Sequence, residues 1–220
     1  MTETPRVRRP KAEKSAAMRE RLCEATLDAL TQVGYDKMST PLICKIAGVS
    51  RGALTHHFAS RNALVAAAFE HLLDSWRGER ENLLALLGPD GTMSLSDQTE
   101  FLWEKTFGSP RYVAALELML AARMDEDLAR DLRAVLAEWR DERDALTQQA
   151  LGVDDDDDDA IQMIRLNLCM LRGIAVHMSF DDSEAERMAL LAAWRKFLEA
   201  NADRLPGGSR KSASTPPKSQ

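Results

Sequence analysis

The sequence predicts an all-α fold of about nine helices. Ala, Leu, Glu and Arg dominate the 220 residues, and all four are strong helix formers. Apolar residues recur mainly at three- and four-residue steps, whereas alternating strand-like segments joined by Asn-Gly or Asp-Gly turns are scarce. Hydrophobic residues make up 45% of the chain, which at this length is enough to bury a sizeable core.

The first helix is predicted over residues 15–33. One face of this segment carries apolar residues at helical spacing, namely Leu22, Ala25, Ala29 and Leu30. Gly34 follows directly, and glycine commonly ends a helix because it adopts a left-handed conformation without steric cost. We therefore expect the first helix to stop at Gly34.

Two short helices are predicted next, with a single glycine between them. Ser39 can cap the first of these, residues 40–47, which Gly48 then breaks. Ser50 can cap the second, residues 51–57. A tight glycine turn between the last two of three helices is the layout of a helix-turn-helix.

The remaining helices are longer and form the body of the chain. Glycines and prolines mark the breaks between them. The predicted helices are 61–87, a helix from Ser94 or Ser96 through 107, 110–124, 126–151, 160–180 and 183–204.

Charge is distributed unevenly along the chain. The net charge is −6. Residues 1–62 carry 11 Lys and Arg against 6 Asp and Glu, a net +5, whereas residues 63–220 carry 18 against 29, a net −11. A basic N-terminal segment on an acidic body is the balance that a DNA-binding protein needs, although a chance asymmetry is the simpler alternative.

Residues 47–64, AGVSRGALTHHFASRNAL, carry the most specific motif in the sequence. This stretch and the residues before it resemble the tetracycline-repressor (TetR) family of one-component regulators over about 45 residues. The matching positions are Gly34-Tyr35, Ile43, Ala47-Gly48-Val49-Ser50, Gly52-Ala53-Leu54, His57-Phe58, Arg61 and Leu64. The resemblance implies a repressor that binds near-palindromic operator DNA as a homodimer and is released by a small-molecule effector.

The resemblance and the helix pattern together predict four parts of the chain. They are a flexible basic arm (1–14), a helix-turn-helix DNA-binding domain (15–60), an effector-binding and dimerisation domain (61–205) and a disordered tail (206–220).

Side chains on and beside the two short helices are the candidate DNA contacts. Arg51 can reach a guanine edge bidentately or a phosphate, and Ala53 can touch a thymine methyl. Thr55 departs from the family, which usually has tyrosine there, and Arg61 replaces the usual lysine. Lys45 is equally consistent with a solvated charge, and His57 with a packing or capping role. The predicted DNA-binding residues are Ser39, Thr40, Lys45, Ser50, Arg51, Gly52, Ala53, Thr55, His56, His57 and Arg61.

Several other function classes find no support in the sequence. Three dispersed cysteines without a CxxC predict neither a disulfide framework nor a zinc site, and indicate a reduced, cytoplasmic setting. The run Asp154–Asp159 lacks the spacing of an EF-hand and is predicted to be a solvated loop leading into a helix. No catalytic set, cofactor motif, secretion signal or membrane span is recognisable, so we expect neither an enzyme nor a metal or cofactor site.

Apolar residues of the body supply two further predictions. An amphiphilic or anionic effector is predicted to bind among Trp103, Phe107, Tyr112, Met119, Arg123, Trp139, Met163, Met170 and His177, although core packing is the simpler interpretation. By the resemblance, the last two helices form a two-fold dimer interface through Ile164, Leu168, Leu171, Ala175, Leu191, Trp194 and Leu198, although burial of these faces inside the monomer is the simpler alternative. The alternatives to a regulator are a dimeric helical scaffold and a small helical enzyme, neither of which binds DNA.

Overall fold

A computed structural model describes residues 11–88, 91–180 and 183–206. Within these ranges the chain is helical and contains no strand, which confirms the predicted fold class. The α-helices are α1 (Lys11–Lys37), α2 (Thr40–Ala47), α3 (Arg51–His57), α4 (Arg61–Leu87), α5 (Leu95–Leu102), α6 (Pro110–Ala121), α7 (Glu126–Leu151), α8 (Asp158–Met178) and α9 (Glu184–Ala200). One π-helical turn, Trp103–Phe107, follows α5, and a short 3-10 turn, Ala202–Arg204, follows α9.

The ends of the chain differ in part from the prediction. Helix α1 begins at Lys11, so the last four residues of the predicted flexible arm are helical. The remainder of that arm and the predicted tail from residue 207 lie outside the described residues. The glycine break after the first helix is confirmed as a kink: Gly34 has φ 75° and ψ 170°, and one further turn follows it.

The helices group into two compact units. The first comprises residues up to Ser75 together with Pro110–Arg140, and the second comprises Trp76–Ser109 and the chain from Asp141 onwards. Helices α4 and α7 therefore contribute residues to both. The helix-turn-helix thus shares one unit with the first half of α4, with α6 and with the start of α7.

In the first unit, α1 packs against α2, α3 and α6. Leu22, Leu30 and Ile43 are almost completely buried there, as is Phe69 of α4. Burial of this apolar surface supplies most of the stabilisation of the short helices, since helices of seven or eight residues are marginal on their own.

Polar side chains also tie α1 to α4 and α6. Glu24 lies at the centre: its Oε1 is 2.6 Å from His71 Nε2, and its Oε2 accepts a hydrogen bond from Arg111 Nη2 at 2.8 Å. The same Arg111 nitrogen lies 2.9 Å from Asp28 Oδ1. Desolvation works to raise the pKa of Glu24, but the hydrogen bonds from Arg111 and His71 outweigh it and lower that pKa.

The lowered pKa of Glu24 predicts a loss of stability in acid. Because the folded state favours the ionised carboxylate, its contribution is complete above the ordinary pKa of 4.5 and is lost as the pH falls through the lower folded value. We expect Glu24→Gln to lower the urea midpoint of unfolding at neutral pH. The difference in midpoint between this variant and the parent protein should shrink as the pH falls from about 5 to 3. Glu13→Gln, at an exposed position of α1, is the matched control. A midpoint difference that stayed constant over this range would contradict the lowered pKa of Glu24.

The second unit has a core formed by α5, α7, α8 and α9. Leu95, Leu151, Ile164 and Leu198 form its buried cluster. Asn167 is fully buried beside it, and its Oδ1 accepts hydrogen bonds from Thr99 and Trp194, which joins α8 to α5 and α9. Asp157 caps α8 by accepting a hydrogen bond from the Ala160 N–H, so the aspartate run leads into a helix N-terminus as predicted.

Candidate nucleic-acid interface

Serine caps begin both helices of the helix-turn-helix. Ser39 Oγ accepts a hydrogen bond from the Leu42 N–H at 3.4 Å, and Ser50 Oγ accepts one from the Ala53 N–H at 3.1 Å. Between the helices, Gly48 adopts the left-handed conformation with φ 62° and ψ 41°. The caps and the glycine turn that the sequence predicts are therefore present, and together they fix where α3 starts.

The inner side of α2 and α3 is apolar and buried. Leu54 of α3 and Phe58 just after it are each less than 5% exposed, as is Ile43 of α2. Val49 in the turn is half-buried. This packing holds α3 in one orientation, and the exposed Arg51 and Gly52 face away from the core.

Most of the predicted DNA-binding residues lie on the surface. Half-buried members of the set are Thr40, Ala53, His57 and Arg61, and exposed members are Ser39, Lys45, Ser50, Arg51, Gly52, Thr55 and His56. The side chains of Lys45 and Arg51 form no hydrogen bond or ion pair with the described part of the chain, so their charges are available to a ligand. The Thr55 hydroxyl instead donates to the Gly52 carbonyl of its own helix.

Arg61 makes internal contacts that the sequence does not display, and its DNA contact stays a prediction. Its Nη2 donates to the Tyr35 carbonyl at 2.9 Å and to the Met38 carbonyl at 3.3 Å. The guanidinium also lies 4.3 Å from the centre of the Tyr35 ring, in a cation–π contact. The half-buried Arg61 therefore secures the turn between α1 and α2, because a guanidinium satisfies several acceptors at once.

Arg19 is a second positioning residue, and sequence reasoning missed it. From α1, its Nη1 donates to the His57 carbonyl at the end of α3 at 2.8 Å, and the guanidinium lies 4.3 Å from the centre of the Phe58 ring. His57 is half-buried and supplies the backbone acceptor of this contact, so it takes part in holding α3 in place. The 38 residues that separate the pair hid the contact from local pattern analysis.

Arg19→Ala is expected to destabilise the first unit modestly. A charge-assisted hydrogen bond and an exposed cation–π contact disappear together, which predicts a loss of about 1–2 kcal/mol in the free energy of unfolding. Urea unfolding followed by circular dichroism measures it. Arg130→Ala, which removes an exposed α7 ion pair with Asp127, is the control, and an equal effect of the two changes would contradict the positioning role.

Helix α6 contacts the turn that precedes α2. Glu117 Oε1 accepts a hydrogen bond from the Tyr35 N–H at 2.7 Å. A Cβ added at Gly34 would lie 2.7 Å from the same oxygen, closer than packed atoms approach. A side chain at position 34 would therefore displace the Glu117 carboxylate, and the positive φ of Gly34 independently favours glycine there.

The predicted effector residues are divided between the two units. Tyr112, Met119, Arg123 and Trp139 belong to the first, and Trp103, Phe107, Met163, Met170 and His177 belong to the second. Arg123, Met170 and His177 are exposed, which corrects their expected position within apolar surroundings. His177 Nε2 lies 3.2 Å from Glu186 Oε1 on the surface. A cavity of about 50 Å³ in the second unit is lined by none of the predicted residues and is far smaller than a typical effector site.

The predicted dimer residues are core residues of the second unit. Six are buried within a single chain, and Trp194, the seventh, is half-buried and donates to Asn167. The buried six are Ile164, Leu168, Leu171, Ala175, Leu191 and Leu198. The apolar stripe was identified correctly, but α8 and α9 use it to pack inside their own unit, which corrects its assignment to the interface.

A different set of apolar residues on α8 and α9 is exposed. Leu166 and Met170 lie one turn apart on α8, and Met188, Leu190 and Phe197 lie on α9. The Phe197 ring is half-exposed and stacks on the Trp194 ring at 5.3 Å. A surface of this kind commonly marks an interaction site.

An all-α chain with a capped, glycine-turned helix-turn-helix and available cations on its exposed side defines the class of helical DNA-binding regulators. Residues 22–68 match the family model described as bacterial regulatory proteins, tetR family. The resemblance of this segment to the tetR family, seen in the sequence, is thus confirmed. The match to regulatory proteins agrees with the expectation that the chain is not an enzyme.

Individual relatives support the same class. An uncharacterised HTH-type transcriptional regulator of Mycobacterium bovis is 36% identical over 121 residues, which cover 54% of this chain and 60% of that protein. The match therefore spans less than two thirds of the relative's length.

Solved structures share the fold. A TetR transcription regulator from Haloarcula marismortui aligns over 84% of this chain and 98% of its own, with a TM-score of 0.63 and 21% identity. The multidrug binding protein EbrR, solved in complex with imidazole, aligns over 82% of this chain and 94% of its own, with a TM-score of 0.57 and 23% identity. Among the residues described here, no helix is long and apolar enough to cross a membrane.

Proposed function

We propose that this chain is a transcriptional repressor that binds operator DNA as a homodimer and releases it when a small-molecule effector binds. The observation that carries the proposal is the exposed side of the helix-turn-helix, where Lys45 and Arg51 form no ion pair with the described residues. Cations that are neutralised by no protein carboxylate can neutralise DNA phosphates and release their counterions. Three free cysteines, two of them buried, fit a cytoplasmic protein.

The operator is expected to be near-palindromic. Two recognition helices related by a two-fold axis enter successive major grooves about 34–36 Å apart, so each half-site is read by one α3. Arg51 reads a guanine in this scheme, and the short side chains of Gly52 and Ala53 allow the helix to approach the base edges.

The effector is proposed to act by preferring a dimer whose recognition helices do not match the operator spacing. A ligand shifts this equilibrium only by its difference in affinity for the two arrangements. The EbrR complex with imidazole supports small-molecule binding in proteins of this fold. Of the predicted effector residues, those that are not exposed stay our candidates, namely Tyr112, Met119 and Trp139 in the first unit and Trp103, Phe107 and Met163 in the second.

Binding to DNA is tested directly by a gel shift. The purified chain is titrated into duplexes that tile the DNA flanking its own gene, at low and at high salt. Retention of one duplex in preference to an unrelated one, with loss of retention as salt rises, supports the proposal. Retention of no duplex at low salt would reject it and favour a helical scaffold.

The dimer is proposed to form through the exposed apolar residues of α8 and α9. Two copies that pair these helices bury Met170 and Phe197 in an isologous four-helix arrangement. We expect the double variant Met170→Glu and Phe197→Arg to be monomeric in sedimentation analysis, because charges placed in an apolar interface lose hydration without a partner. Ala137→Glu, at an exposed position of α7, is the control. A double variant that sediments as a dimer would move the interface elsewhere.

A further inference from the structure

Arginines of α1 lie near both ends of α3. Arg19 donates to the His57 carbonyl at the C-terminal end. Arg21 lies beside the turn that precedes the N-terminal end, where a Cβ added at Gly48 would be 2.9 Å from Arg21 Nη2. Helix α1 packs against both short helices, so the backbone positions that carry the two side chains are fixed relative to α3.

The two guanidinium groups differ in what they contact. Arg19 has a carbonyl acceptor and an aromatic ring. Arg21 is exposed and has no hydrogen bond or ion pair with any residue in the described ranges. A guanidinium presents five N–H donors in a planar fork that matches phosphate geometry, and those of Arg21 are not engaged by the protein.

We propose that Arg21 binds a backbone phosphate of double-stranded DNA and so extends the interface from the helix-turn-helix to α1. The proposal rests on the proposed function, because it requires α3 to lie in the major groove. Gly48 is only two residues before the N-cap Ser50, so the Arg21 guanidinium lies near the end of α3 that carries Arg51. From this place we expect it to reach the phosphates that border the groove rather than the base edges.

A phosphate contact has a signature that a structural arginine lacks. Loss of the contact weakens binding to every sequence by the same factor. It also lowers the dependence of affinity on salt by roughly one charge per contact. Replacing a residue that only stabilises the fold lowers the unfolding temperature. It does not change how the DNA affinity of the folded protein depends on salt.

The experiment measures the affinity of the full chain for two duplexes, its operator and an unrelated sequence, by fluorescence anisotropy at several salt concentrations. For Arg21→Ala we expect weaker binding to both duplexes, by a similar factor of about three to thirty. The slope of log affinity against log salt should fall by about 0.9 for each protomer. Arg21→Lys keeps the charge and is expected to keep the slope.

Two further variants are measured in parallel. Arg19→Ala is expected to lower the unfolding temperature and to leave the slope unchanged. Arg123→Ala removes an exposed cation outside α1–α3 and is expected to change neither quantity. A slope for Arg21→Ala equal to that of the parent, with or without a lower unfolding temperature, overturns the proposal. If the parent protein binds neither duplex at low salt, the proposed function fails together with this proposal. If the parent binds and the Arg21→Ala variant shows the same salt slope, only the phosphate contact is rejected.

Discussion

Arg51→Ala is expected to abolish specific retention of the operator while the helices stay folded. Arg51 is the first residue of α3, is exposed and engages no other described residue through a hydrogen bond or ion pair. A bidentate contact to guanine contributes about 1–3 kcal/mol of discrimination. Both recognition helices of a dimer lose it together, so we expect a loss of about 2–6 kcal/mol, or at least a roughly thirtyfold weaker complex.

Anisotropy titrations of the operator and of an unrelated duplex measure this effect, and circular dichroism verifies the fold. Arg51→Lys is the matched variant, since lysine retains the charge without the bidentate geometry. If Arg51 reads guanine, the lysine variant binds both duplexes but discriminates poorly between them. If Arg51 contacts phosphate, the lysine variant retains most of the discrimination. Unchanged operator affinity of Arg51→Ala would remove the residue from the interface.

Local sequence signals were sufficient to predict the helix-turn-helix. Ser39 and Ser50 are caps and Gly48 is a left-handed turn because each of these roles depends only on residues nearby in the chain. The same holds for Asp157 before α8. The cap hydrogen bonds span three residues and those of the glycine turn at most five, so the sequence displays them directly.

Contacts between distant segments could not be predicted in this way. Arg61 reaches back 26 residues to the Tyr35 carbonyl, and Glu117 reaches back 82 residues to the Tyr35 N–H. An exposed guanidinium that binds phosphate and one that binds a carbonyl have the same appearance in a sequence. For Arg61 the sequence predicts a DNA contact, and the fold adds internal hydrogen bonds that no local pattern displays.

The error at the dimer interface has a related cause. Helix α8 carries apolar residues on two sides, with Ile164 and Leu171 buried and Leu166 and Met170 exposed. Periodicity finds an apolar stripe, but it does not say whether the helix's own unit or a second copy buries it. On α8, the more continuous apolar stripe is the one that packs into the core of its own unit.

Gly34→Ala is expected to have the largest effect on stability. With φ 75° and ψ 170°, Gly34 occupies a region that is essentially restricted to glycine, and strain there costs an alanine about 1–3 kcal/mol. The new Cβ would also lie 2.7 Å from Glu117 Oε1, so the hydrogen bond to the Tyr35 N–H must lengthen or break. We expect a total loss of about 2–4 kcal/mol in the free energy of unfolding.

Urea unfolding separates the two causes. Glu117→Ala in the Gly34→Ala background removes the close contact but leaves the backbone strain, so it is expected to recover only part of the loss. Gly78→Ala is the matched control: Gly78 is helical within α4, and a Cβ there meets nothing within 4 Å. Alanine at that position should stabilise the protein by about 0.5–1 kcal/mol, since glycine is the poorer helix former. Equal effects of Gly34→Ala and Gly78→Ala would mean that the kink at residue 34 accepts a side chain. The contact of Glu117 in α6 would then not restrict the chain that leads into α2 and α3.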